Sequence, residues 1–151
     1  MNLGQLLYNH VLISALIAWG LAQILKIPIH YIKTGSRDWS LLFRAGGMPS
    51  SHSALVAAIA HGIGLSLGFN SPQFALSVAF AMVVIYDATG IRRQAGRHAT
   101  IINAMVNDFI QGHPDLGSEK LKEVLGHSPA EAGVGVLMGI GLAQVYFMLF
   151  V

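Results

Sequence analysis

The chain alternates long apolar runs with two polar segments. The first apolar run covers roughly Leu6 to Leu25, with Asn9, His10 and Gln23 as its strongly polar points, and Lys26 closes it. The second runs roughly from Ser53 to Leu67, is short and rich in Ala and Gly, and contains His61. The third runs from about Phe74 to Ile85 and reaches Asp87, and the fourth from about Ala132 to Val151. A helix crossing a bilayer needs about 20 apolar residues. Four such helices with their connections account for all 151 residues, so residues 1–151 read as a single membrane domain. The expected fold is all-α, an integral membrane bundle of about four transmembrane helices. No Lys or Arg precedes the first run, so it lacks the basic start of a signal peptide and reads as a retained helix.

The first polar segment, Lys26 to Pro49, contains Lys26, Lys33, Arg37, Asp38 and Arg44. The second, Gly90 to Glu131, contains Arg92, Arg93, Arg97, Lys120 and Lys122. Within it Ile101, Ile102, Met105, Val106, Phe109 and Ile110 recur at helical spacing. Ala99 to Ile110 is therefore expected to be an amphipathic helix lying at the membrane surface. His113-Pro114-Asp115-Leu116-Gly117 would end it. Ser118 to Leu125 reads as a further short helix, capped by Ser118 and with Glu119 near Lys122. The turn signal Gly68-Phe69-Asn70-Ser71-Pro72 joins the second and third runs into a hairpin.

Composition supports this picture. Hydrophobic residues make up 54% and charged residues 11%, against roughly 25% charged in soluble domains, and mean hydropathy is +0.59. There is no cysteine, which excludes disulfides, thiol catalysis and cysteine metal sites. All nine Lys and Arg residues fall in the two polar segments. An even number of spans puts those segments on one side, and the positive-inside rule assigns that side to the cytoplasm. Gly64 to Gly68 and Gly135 to Gly139 are small-xxx-small patterns that allow close helix approach. Packing within one bundle is the simpler reading, and a homodimer through these Gly-rich spans the sharper one. Ser51-His52-Ser53-Ala54 and Gly126-His127-Ser128-Pro129 each open a Gly/Ala-rich span, a faint internal similarity.

Two stretches could carry chemistry. In Gly46-Gly47-Met48-Pro49-Ser50-Ser51-His52-Ser53 the glycines loosen the backbone, Pro49 suits a helix start, and free N–H groups with serine hydroxyls suit an anion. His52 adds a group that titrates near neutrality. An ordinary Ser-capped helix would look similar. In Asp87-Ala88-Thr89-Gly90-Ile91-Arg92-Arg93-Gln94-Ala95-Gly96-Arg97-His98 the guanidinium forks suit phosphate oxygens. A basic flank that stops a membrane helix would also look like this. Asp87 at a membrane helix end needs a partner, and a nearby arginine would serve. His61 reads as a hydrogen-bonded packing residue. The hairpin brings both stretches to one membrane face, where Lys33, Arg37 and Arg44 also arrive. The sum is a cationic niche with His52 and His98 beside a bilayer, suited to the phosphate headgroup of a lipid. Nucleic acid is excluded, since the cations lie at a bilayer face. A metal set of His113, Asp115 and His127 has no recognised ligand spacing, so no metal is expected.

These motifs resemble the type-2 phosphatidic acid phosphatase and vanadium-dependent haloperoxidase superfamily. They are most similar to its divergent branch of acid phosphatase/vanadium-dependent haloperoxidase-related proteins, and Leu125-Gly126-His127-Ser128-Pro129-Ala130-Glu131 adds to that likeness. The superfamily's middle motif, Pro-Ser-Gly-His, reads Pro49-Ser50-Ser51-His52 here. In its third motif Arg92 and His98 keep the spacing, but Ile91 replaces Ser and Ile102 replaces Asp. Its first motif is matched loosely, by Arg37 and Arg44 with Ala45 in place of Pro. The resemblance implies a phosphatase acting on a lipid phosphate or diphosphate monoester without metal or cofactor. His98 would attack phosphorus, and His52 would protonate the leaving alcohol. Lys33, Arg37, Arg44, Ser50, Ser51, Arg92 and Arg93 would hold the phosphate. The missing Asp leaves a second implication open, a degenerate relative that binds an anionic lipid or phosphate without turnover.

Overall fold

In the computed structural model the described residues, 3–42, 46–111, 121 and 126–151, form helices joined by turns, with no strand among them. A short 3₁₀ turn, Leu3–Tyr8, leads into α1, His10–Thr34. A second 3₁₀ turn, Trp39–Leu42, precedes α2, Ser51–Leu67. Then follow α3, Pro72–Tyr86, a π-helical turn, Asp87–Ile91, and α4, Arg92–Gln111. The chain closes with α5, Pro129–Phe150.

Short polar side chains begin these helices. The side chains of Asn9, Ser50, Ser71 and Ser128 accept from the N–H groups of Leu12, Ser53, Phe74 and Glu131. Each satisfies a donor that the first turn leaves open, as such residues do at helix starts. Proline stands in the first turn of α3 and α5, where its missing N–H costs nothing.

α2 is the central helix and packs against α1, α3 and α5, and α1 also touches α5. Side-chain pairs give the directions. His10 Nδ1 lies 3.1 Å from Tyr146 Oη, which pairs the start of α1 with the end of α5. His61 Nε2 lies 2.8 Å from Gln144 Oε1, and the Ser50 N–H donates to Glu131 O at 3.1 Å. α2 and α5 therefore run parallel, with α1 opposed to both. The turn at 68–71 sends α3 back against α2. The His61 contact is the packing bond expected for it.

The interior is built from small residues. Ala15, Ala18, Ala22, Ala54, Ala58 and Ala143 form the buried cluster. Large apolar side chains point outward instead, among them Ile24, Leu76, Phe80, Val83, Leu137 and Met148. In water so much exposed apolar surface would drive aggregation. In lipid it costs nothing, and association rests on close van der Waals contact between small residues. α1, the run Pro72–Asn107 and α5 are long and apolar enough to cross a membrane, and α2 is a shorter apolar helix. At 1.5 Å per residue the 17 residues of α2 span about 25 Å, and its central place spares it most contact with lipid. The expected bundle of about four membrane helices is the observed one.

Two boundaries differ from the sequence reading. α1 does not stop at Lys26 but runs on through Pro28 to Thr34, where Gly35 caps it at φ 70°, a left-handed conformation that glycine adopts freely. Lys26 is buried within the helix, at 2% exposure. The expected amphipathic helix is present as α4, but it begins at Arg92 rather than Ala99. α3 and α4 are one run, with a π turn between them in which the Arg92 N–H bonds to Asp87 O. No proline or strong turn signal separates Asp87 from Ala99, and Gly90 and Gly96 are tolerated. Such a run of 36 residues is about 54 Å long, well beyond a hydrocarbon core of about 30 Å. α4 therefore leaves the hydrocarbon core, with an exposed apolar stripe of Ile101, Ile102 and Met105 suited to the interface. The segment 112–120, the short helix expected at 118–125 except Leu121, and Arg44 lie outside the described residues.

The glycine patterns serve contacts within the chain. A Cβ on Gly135 would strike the Ser50 backbone, and one on Gly139 the Ala54 backbone. Gly64 is filled by the ring of Phe69. A dimer through these same glycines would have to displace those contacts.

Candidate functional site at the basic end of the bundle

Three chain segments meet where α1 ends and α2 and α5 begin. The entry to α5 joins the other two. The His127 N–H donates to Ala88 O of the π turn at 3.0 Å. Gly126 sits so tightly against the turn that a Cβ there would come within 2.5 Å of Arg93 N. Glu131 O accepts the Ser50 N–H at 3.1 Å. The start of α2, the end of α3 and the start of α5 are thus fastened together, with the middle stretch of α1 alongside.

On this frame His52 is exposed at the first turn of α2, and Arg92, His127, Lys26 and Asp87 are close enough to act on it electrostatically. Arg92 Nε donates to Asp87 Oδ2 at 2.7 Å, the arginine partner expected for this carboxylate. The bond crosses the π turn and fixes the direction of the guanidinium. Lys26 lies close to Glu131, with its Cδ beside Gly47. Gly46 and Gly47 adopt φ of 102° and 81°, conformations that favour glycine.

The sequence-predicted residues are not all gathered here. Ser50 and Ser51 are fully buried. Ser50 Oγ accepts from Ser53 N and from Ser53 Oγ at 3.3 and 3.0 Å, so its hydroxyl caps α2. The Ser51 and His52 N–H groups, at the first turn, are the donors α2 offers an anion. Lys33 Nζ lies 3.7 Å from Met48 Sδ, beside the turn that leads to Pro49. Arg37 stacks over the Tyr31 ring at 5.4 Å and is exposed. Arg93 is half-buried against Gly126.

His98 has another setting. Positions 92, 96, 99 and 103 share one face of α4 by helical period, and Gly96, Ala99 and Asn103 are buried on it. Asn103 clamps the Leu121 backbone with two bonds of 2.9 Å. His98 is six residues after Arg92, roughly 120° round the helix. It shares the exposed stripe of Ile91, Ile101, Ile102 and Met105.

Three residues were missed or left without a role by the sequence reading. Lys26 was taken as the end of a span. Its signal was a lone lysine in an apolar run seven residues before Lys33, which puts both on one helix face. His127 and Glu131 were seen as a motif without a role. His127 is 4% exposed, and its Nδ1 lies 3.3 Å from Glu131 Oε2. The same oxygen accepts the Ser128 N–H at 3.0 Å, which completes a capping box. The pattern Ser-x-x-Glu with a preceding histidine carried that signal. Among the described residues no group of three metal-ligating side chains occurs. His113 and Asp115 lie outside them.

Burial holds His127 below the ordinary value of 6.5, against the pull of the Glu131 hydrogen bond and charge, while Lys26 adds to the lowering. The Gly47 backbone favours the protonated ring, but at no good hydrogen-bonding geometry, since among the described residues the buried Nε2 has no hydrogen-bond partner. The folded chain therefore binds this proton more weakly than the unfolded chain. The resulting stability is complete above 6.5 and shrinks as pH falls below it toward the folded value. Tm in detergent should drop between about pH 7.5 and about pH 5.5, and less steeply in His127→Gln. Equal slopes would contradict this origin.

Comparison with known proteins agrees with the motifs. A family model described as the divergent PAP2 family, a domain of unknown function numbered DUF212, matches residues 7–142. A Bacillus subtilis (strain 168) protein described as "Uncharacterized membrane protein YuiD" is 44% identical over 156 aligned positions, covering 97% of this chain and 99% of the relative. No solved structure matches the chain. With a family model spanning most of its length and a relative matched end to end, this membrane protein belongs to the divergent PAP2 family.

Proposed function

We propose that this protein is a membrane phosphatase that hydrolyses a lipid phosphate or diphosphate monoester by a covalent histidine mechanism. The observation that carries the reading is the fastening of the π turn before Arg92 and the start of α2 to the entry of α5, by the His127–Ala88 and Ser50–Glu131 backbone bonds, which brings His52, Arg92 and His127 to one end of the bundle, where a headgroup would lie. Arg92, already aimed by Asp87, and the open N–H groups of α2 would take the equatorial oxygens. His52 is exposed there and can protonate the leaving alcohol and then activate water. Phosphatidate, phosphatidylglycerophosphate and isoprenoid diphosphates are the candidate substrates. Purified protein in detergent should release phosphate from this panel without added metal, and vanadate should inhibit it. Complete inactivity across the panel counts against the reading.

A second reading is a degenerate binder of anionic lipid. Ile102 at the position of the superfamily's Asp and the outward setting of His98 favour it. Labelled lipid that binds without turnover, and no longer binds in Arg92→Ala, would support it.

The basic end is proposed to face the cytoplasm, since Lys33, Arg37, Arg92, Arg93 and Arg97 flank the spans there. With no native cysteine, cysteines introduced at Ser36 and Asn70 report sidedness directly. Labelling of the Ser36 position from outside intact cells would reverse the orientation.

A further inference from the structure

We propose that His127, held by Glu131, is the histidine that attacks phosphorus, a part the superfamily's spacing would give to His98. The assignment rests on the phosphatase reading above. An attacking imidazole needs a free nitrogen lone pair, a partner for its other nitrogen, and a place beside the acid and the phosphate-binding cations. His98 sits on the exposed apolar stripe of α4, on a different face from Arg92. Its superfamily carboxylate is replaced by Ile102. His127 has what His98 lacks. The Glu131 carboxylate lies 3.3 Å from Nδ1, which places the ring proton there and leaves the lone pair on Nε2. Among the described residues that Nε2 has no hydrogen-bond partner, although the side chain is almost wholly buried.

The surroundings fit the role. Glu131 cannot swing away easily, because the Ser128 N–H also holds its Oε2 at 3.0 Å. The backbone of His127 is bonded to the π turn that leads into Arg92. The same α5 entry is bonded to Ser50, two residues before His52. Burial keeps the ring neutral, the reactive form, near neutral pH. The Gly47 backbone also lies against the His127 ring, and a Cβ built on Gly47 would have Lys26 Cδ at 3.9 Å as its neighbour. A headgroup reaching the buried Nε2 would have to displace this glycine turn.

The chemistry balances. The Nε2 lone pair attacks phosphorus, the bond from phosphorus to the alcohol oxygen breaks, and His52, made a stronger acid by burial and by Arg92 and protonated beside the phosphate dianion, gives that oxygen its proton. The phosphoimidazolium keeps its Nδ1 proton against the Glu131 carboxylate, which stabilises the new positive charge. Neutral His52 then takes a proton from water, the water oxygen attacks phosphorus, and the N–P bond breaks. Inorganic phosphate leaves, and His127 and His52 return to their starting states.

The test uses the full chain in detergent with phosphatidate labelled at phosphorus, or the panel substrate that turns over, quenched in alkali and mapped by peptide. Label is expected on His127 of the unmodified protein, so no variant has to fold for the result to count. Glu131→Gln keeps a capping side chain but loses the charge, and kcat should fall at least about 10-fold with KM little changed. Label on His98 or His52, or turnover with no labelled histidine, overturns the assignment and leaves the phosphatase reading standing. No phosphate release from the unmodified protein overturns both.

Discussion

Replacing Gly139 with leucine should unfold or severely loosen the bundle, the largest stability loss expected from any single substitution here. Even a methyl at this position would meet the O, C and Cα atoms of Ala54. Those atoms belong to the backbone of the central helix, so no rotamer change can make room. α2 and α5 would have to part along the line where Gly135 also faces Ser50. Overpacking typically costs about 1–3 kcal/mol. That range suits Gly139→Ala, and leucine should exceed it. Gly133 and Gly141 lie on the same helix with nothing within 4 Å of a built Cβ, so Gly133→Ala and Gly141→Ala should show no loss. Thermal unfolding in one detergent compares all four variants. A Gly139→Leu protein as stable as its parent would refute the parallel α2–α5 contact, and with it the placement of the site.

The second large effect is on turnover. His52→Ala should lower kcat by roughly 10²–10⁴-fold, the usual contribution of a positioned acid or base, with lipid binding largely kept. The division follows from position. His52 is exposed at the helix start, so its removal should leave the frame intact. Arg92, the N–H groups of α2 and Lys26 remain to attract the headgroup. Phosphate release and binding of a labelled lipid measured side by side decide the matter. A kcat within about threefold of the parent would remove His52 from the reaction.

Much of the fold could be read from the apolar runs, because lipid imposes length and composition on any helix that crosses it. The hairpin of α2 and α3 followed from the Gly-Phe-Asn-Ser-Pro turn. The convergence of Pro49–His52 with Arg92 followed from the hairpin. The end of α1 did not follow, because a lysine in sequence reads as a stop. A tertiary neighbour, Glu131, more than a hundred positions away, helps to offset its burial. The break expected before Ala99 was a change of pattern, from apolar all round to apolar on one side. The backbone continues through that change by inserting a π turn, as helices often do near functional sites.

The site was legible by spacing but not by face. Counting six residues from Arg92 finds His98, whereas the helical period turns it away from Arg92's side. His127 lies in a loop whose neighbours are set by how α5 lies along α2. Local sequence contains no trace of that contact except the small residues at Gly135 and Gly139, which were legible as a close-approach pattern without a named partner.

The central claim is that the start of α2, the π turn and the entry to α5 share one phosphate. A structure of the protein with vanadate, the trigonal-bipyramidal mimic of phosphoryl transfer, tests it most directly. The account predicts the anion among His52, Arg92 and His127, with Gly47 displaced from His127 Nε2. An anion bound on the outer face of α4 beside His98, or at the end of the bundle that holds His10 and Tyr146, would contradict it.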